Sequence, residues 1–75
     1  MSPEKRKILW REILLAGDYL KNKLPEHPNH PNGRNPYAHI ALEIKNKFKT
    51  SYKNLPDEEY DNILNFIKFL KNNPN

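Results

Sequence analysis

Seventy-five residues form a single small domain, 1–75, with no room for a second, which excludes large multi-site enzymes. Hydrophobic residues make up 36% and charged residues 29% of the chain, a lean core but not the apolar-poor, single-sign composition of a disordered segment. Thirteen Lys and Arg against nine Asp and Glu leave a net charge of +4, which suits phosphate backbones or anionic lipid and also falls in the range that merely keeps a small domain soluble.

Ser2-Pro3-Glu4 predicts a helix start, with Ser2 accepting from orphan amides, Pro3 fitting the first turn and Glu4 favoured by the dipole. The helix is expected over 3–23. At about 100° per residue Leu9, Trp10, Ile13, Leu14, Ala16, Gly17, Leu20 and Leu24 share one broad arc that should face the core. For Trp10, the one tryptophan, packing is expected over the alternative of an interface anchor. Ile8, Leu15 and Tyr19 fall outside the arc on the opposite side, interrupted by Glu12. That second apolar face predicts burial on both sides or an intermolecular contact.

From Leu24 to Pro36 the chain holds four of its seven prolines and cannot be helical. Residues 24–35 are therefore read as a long Pro-rich loop, longer than the roughly 2–8 residues usual between packed helices. Within it His27-Pro28-Asn29 repeats as His30-Pro31-Asn32, a period of three that matches polyproline II, and Asn32-Gly33 signals a turn.

Asn35-Pro36 opens a second helix, expected over 36–49, with Tyr37, Ile40, Ala41, Ile44 and Phe48 on one face. Its outer face carries His39, Glu43, Lys45 and Asn46, with Leu42 an apolar exception. After a connector, Asp57-Glu58-Glu59 places three carboxylates where a helix start favours them, and a third helix is expected over 57–72. Leu55 and Tyr60 have the spacing of a hydrophobic staple. Tyr60, Ile63, Leu64, Ile67 and Leu70 point inward, Phe66 is marginal and Phe69 lies on the far side. With no strand-like alternation, the fold class read from the sequence is all-α, a small three-helix domain.

Several kinds of chemistry fit poorly. Cysteine is absent, so disulfides and thiolate metal sites are excluded. His27, His30 and His39, with Glu26, are the one conceivable metal cluster. A polyproline II rise of about 9.3 Å over three residues separates the first two, so loop-packing or solvated imidazoles are expected and no metal. The aliphatic hydroxyls are Ser2, Thr50 and Ser51, none in a nucleophile elbow or beside an evident base, and there is no Gly-rich phosphate loop. Asp57, Glu58, Glu59 and Asp61 could supply paired carboxylates, but their place at a helix start accounts for them. The expectation is no enzyme, no cofactor and no small-molecule substrate. The longest apolar run, Ile13-Leu14-Leu15-Ala16, is far short of the ~20 residues of a membrane span, and no leader pattern stands at the start, so a cytoplasmic chain is expected.

Charge is unevenly placed. Residues 1–24 carry six positive and three negative charges, residues 34–53 five positive and one negative, and the last third reverses sign. Lys45, Lys47, Lys49 and Lys53, interleaved with Asn46, Thr50, Ser51 and Tyr52, are candidates for phosphate contact; cations stabilised by a helix C-terminus are the alternative. Lys5, Arg6, Lys7 and Arg11 form a second cluster at the start of the first helix. Arg34 could reach a phosphate, a base edge or a carboxylate, including the acidic start of the third helix. Ile8, Leu15, Tyr19 and Phe69 are the candidates for a protein interface or homodimer, against the alternative of scattered exposed apolar residues.

Tyr37, His39, Ile40, Ile44, Lys47 and Phe48, then Ser51-Tyr52-Lys53, Leu55-Pro56, Tyr60, Ile63, Leu64, Phe66 and Ile67 carry a resemblance. Over 37–70 the chain resembles the small C-terminal module of phage antirepressor-type regulators, in which a helix ending in Phe is followed by a Ser-Tyr-Lys turn and a helix with an aromatic start. The resemblance implies a phage or mobile-element regulator working with DNA or another nucleic acid in transcription regulation. Such modules usually follow a separate DNA-binding domain, so self-association or docking on a regulator is implied as well. The combined reading is a non-catalytic nucleic-acid-binding or regulatory module that contacts phosphates through Lys45, Lys47, Lys49 and Lys53, assisted by Arg34. Its alternative is an interaction or dimerisation module using the second face of the first helix.

Overall fold

In the computed structural model of the protein, residues 1–21, 23 and 35–73 are described. The first helix, α1, spans Pro3–Leu20. Ser2 caps it in extended conformation, its Oγ accepting from the Lys5 amide at 3.3 Å, while Pro3 takes the first position, where its missing N–H costs nothing. The helix stops three residues before the expected Lys23, because Lys21 has turned to ψ 124° and its amide reaches back to the Asp18 carbonyl. Proline begins to punctuate the chain just beyond, so the last turn has little to propagate into.

The second helix, α2, spans Pro36–Phe48. Asn35 is its cap, with Oδ1 accepting from both the Tyr37 and Ala38 amides at 3.0 and 3.2 Å. Lys49, expected as the last helical residue, is instead the left-handed C-cap, at φ 68°. A non-glycine residue there carries a modest backbone cost, and the reversal sends the chain into a tight connector. Ser51 Oγ then accepts from the Lys53 amide at 3.3 Å and seeds a single 3-10 turn over Tyr52–Asn54. A second 3-10 turn, Asp57–Glu59, leads into α3, Tyr60–Asn72. The expected start at residue 57 is thus helical but tightened, a common geometry for a first turn.

Leu9, Ile13, Leu20, Ile40, Ile44 and Ile63 are fully buried, joined by Ala16, Ile67 and Leu70 and by Tyr52 and Leu55 from the connector. All three helices therefore contribute to one core, and among the described residues no polar or charged side chain is buried in it. The all-α class is what the structure has, and the described residues contain no strand.

Contacts at the helix ends settle the directions. At one end of α1, Gly17 lies so close to α2 that a Cβ built on it would collide with the Tyr37 ring, and the Tyr37 hydroxyl donates to the Asp18 carboxylate. At the other end the Ser2 amide donates to Asp57 Oδ1 at 2.8 Å, and Lys5 lies 3.8 Å from the same carboxylate. Lys5 also stands over the Tyr60 ring, and Lys71 over Tyr19. Hence α1 and α3 start at the same end and α2 runs against both, an up-down-up bundle.

Trp10 departs from the expected core set. It is 46% exposed, while Leu9 beside it is fully buried. Trp10 sits at the edge of the apolar arc, on the flank where α1 and the connector residues Tyr52 and Lys53 line one groove. The proline-rich segment 24–34, with Leu24, His27, His30 and Arg34, lies outside the described residues.

Candidate nucleic-acid interface

One member of the middle basic segment, Lys53, meets two members of the first, Arg6 and Lys7, on one face. α1 presents Arg6 and Lys7 one turn before Trp10, at the i+4 and i+3 spacings that bring helical side chains together. The 3-10 turn after α2 brings Tyr52 and Lys53 against them. Arg6, Lys7, Trp10, Tyr52 and Lys53 line an open groove of about 270 Å³. Tyr52 is its most buried member, at 6% exposure. Burial pushes the Tyr52 phenol above its ordinary pKa of 10.0, and the nearby Arg6 guanidinium pulls partly the other way. Arg6 is held in place by donating from Nε to the Met1 carbonyl at 2.9 Å.

Among the described residues no carboxylate lies within ion-pair distance of Arg6, Lys7 or Lys53. Among the described residues, the ion pairs within 4.0 Å both end on Asp57, from Lys5 and from the Met1 amino group. Arg6, Lys7 and Lys53 keep their charges available. Asp57 itself is absorbed in tying the start of α1 to the start of α3, which accounts structurally for the acidic cluster's first member.

The four lysines singled out from the sequence do not share one surface. Lys53 belongs to the groove just described. Lys45 lines an adjoining groove with Ala38, Ala41, Leu42, Ser51 and Tyr52. Because Tyr52 borders both, Lys45 continues the Lys53 face. Lys47 points to the opposite side, where it lines a groove between α2 and α3 with Phe48, Asn62, Asn65, Phe66 and Phe69 and stands 5.8 Å from the Phe66 ring centre. Lys49 is exposed at the left-handed cap.

The apolar candidates divide as well. Ile8, Leu15 and Tyr19 are 38%, 52% and 47% exposed, and Tyr19 lies under the ammonium groups of Lys23 and Lys71. Phe69, 54% exposed, stacks on Phe66 with ring centres 6.0 Å apart, and Phe66 in turn meets Phe48 edge-on. Phe69 thus belongs to the α2–α3 groove and not to the α1 flank.

Sequence reasoning missed Arg6, Lys7 and Trp10 as parts of the same face as Lys53. The available signal was the spacing that sets two cations one turn from the single tryptophan. Among the described residues no three His, Cys, Asp or Glu are grouped so as to hold a metal ion, and no helix is long and apolar enough to cross a membrane. Comparison with known protein families, with curated proteins and with solved structures gave no match for this chain.

Proposed function

We propose that this chain is a non-catalytic module that binds nucleic acid in the cytoplasm, contacting phosphates through Arg6, Lys7 and Lys53, with Lys45 extending the track. The single observation behind this reading is that Arg6 and Lys7 from α1 and Lys53 from the connector line one groove, none of them in an ion pair among the described residues. Phosphate contact by such a face is electrostatic and releases counterions, so affinity should fall linearly on a log scale as salt rises. The resemblance over 37–70 supports a regulatory setting of phage or mobile-element type, with Lys47, Lys49 and Arg34 as further contacts only if the nucleic acid wraps beyond the groove. Titration of a labelled oligonucleotide at several salt concentrations tests the proposal. Binding with a steep negative salt slope is expected, and absence of binding at about 50 mM salt overturns it.

A second reading is a protein-interaction or homodimerisation module. It is favoured by Leu15 and Tyr19, which stand one turn apart and half exposed on the flank of α1. On this reading wild type sediments as a dimer and Leu15→Glu as a folded monomer. A wild-type monomer at high micromolar concentration removes self-association.

A further inference from the structure

We infer that the nucleic acid taken by this face is single-stranded and that Trp10 is the platform on which one of its unpaired bases stacks; this rests on the phosphate-binding reading above and names the strand form. An indole that is nearly half exposed on a lean 75-residue domain is an expensive residue to leave in water, since aromatic side chains contribute most when their faces are covered. Here it shares its groove with three cations. Arg6 and Lys7 precede it by one turn, and Lys53 and Tyr52 line the same groove.

A duplex presents phosphates to such a surface but keeps the flat faces of its bases stacked on one another. It could satisfy Arg6, Lys7 and Lys53 while leaving the Trp10 ring without a partner. A single strand offers both parts at once, a phosphate backbone for the cations and a base with a free face for the indole, the combination by which strand-binding grooves work without reading sequence. The groove's shape agrees. It is open rather than a closed pocket, and Tyr52 also borders the neighbouring groove that carries Lys45 and Ser51, so a strand longer than one nucleotide could meet both. The α2–α3 groove, by contrast, has its aromatic rings packed on each other and one cation above them.

Because the chain has one tryptophan, its fluorescence reports this contact directly. Full-length protein is titrated at about 50 mM salt with an oligothymidylate of about 15 nucleotides and with a duplex of the same length, for wild type, Trp10→Ala and Trp10→Phe. The expected result is quenching by the single strand, a loss of single-strand affinity of about five- to 150-fold in Trp10→Ala, a smaller loss in Trp10→Phe, and duplex affinity changed by less than about twofold. Far-ultraviolet circular dichroism confirms that both variants keep the helices, which the exposure of the side chain leads one to expect. Single-strand binding without quenching, or equal losses on both forms in Trp10→Ala, overturns base stacking while leaving phosphate binding in place. If wild type binds neither form, the stacking inference and the phosphate-binding reading both fall.

Discussion

Two surface regions of this small bundle each combine aromatic rings with a lysine, and they are built to different ends. In the α2–α3 groove Phe69 stacks on Phe66, Phe66 meets Phe48, and Lys47 caps the set from above the Phe66 ring. The rings contact one another in a chain, with Phe69 still half exposed, and the groove holds one cation. On the α1–connector face, Arg6, Lys7 and Lys53 surround Trp10 and Tyr52, with no carboxylate within ion-pair distance among the described residues. The contrast shows that the count of lysines in a segment says little about a binding surface. What matters is whether separate segments deliver their cations to one place and leave them unopposed.

The largest expected effect separates the two regions directly. Replacing Arg6, Lys7 and Lys53 together by Ala should lower the salt slope of nucleic-acid binding by about two to three, since each phosphate contact contributes a little under one. Lys47→Ala should leave the slope unchanged. If Lys47 proves as costly as Lys53, both faces touch the ligand and the contrast fails.

A smaller effect concerns the far end of the bundle. Gly17→Ala sets a Cβ into the Tyr37 ring, and overpacking of that kind typically costs about 1–3 kcal/mol. Urea unfolding should show that loss. Binding measured under conditions where the variant is folded should be nearly unchanged, because the groove lies toward the opposite end of α1. A large binding defect in the folded variant would mean that the approach of α1 to α2 sets the groove's geometry.

The smallest effect is a pH dependence. Tyr52 is raised above its ordinary value of 10.0 chiefly by burial, and Tyr37 chiefly by donating its hydrogen bond to Asp18. A raised folded value means that the folded state favours the protonated phenol. The stability this contributes is fully present below pH 10 and is lost as pH rises through the raised values. Wild type should therefore lose stability above about pH 10, and Tyr52→Phe should lose less over the same range. Identical alkaline profiles would show that Tyr52 ionises without cost and that the groove wall is wetter than its 6% exposure implies.

Much of the fold was legible because its signals are local. Ser2-Pro3 and Asn35-Pro36 mark helix starts through hydrogen bonds that close within three residues, and the periodicity of Ile40 and Ile44 or of Ile63, Ile67 and Leu70 needs no knowledge of the partner helix. The errors arose where a neighbour decides. A helical wheel places Trp10 on the edge of the apolar arc, but how much of that edge is covered depends on the reach of the connector behind Lys49. Likewise Lys45, Lys47, Lys49 and Lys53 are close in sequence, yet two of them lie on a helix at positions i and i+2, which face about 200° apart.

Periodicity, capping residues and the absence of cysteine were enough to determine an all-helical chain, its element order and most of its core, because each follows from bonds and burial within a few turns of backbone. Which charges act together was decided only in three dimensions. The left-handed turn at Lys49 and the 3-10 turn at Tyr52 swing Lys53 onto α1, and electrostatic fields add by distance through space rather than by separation along the chain.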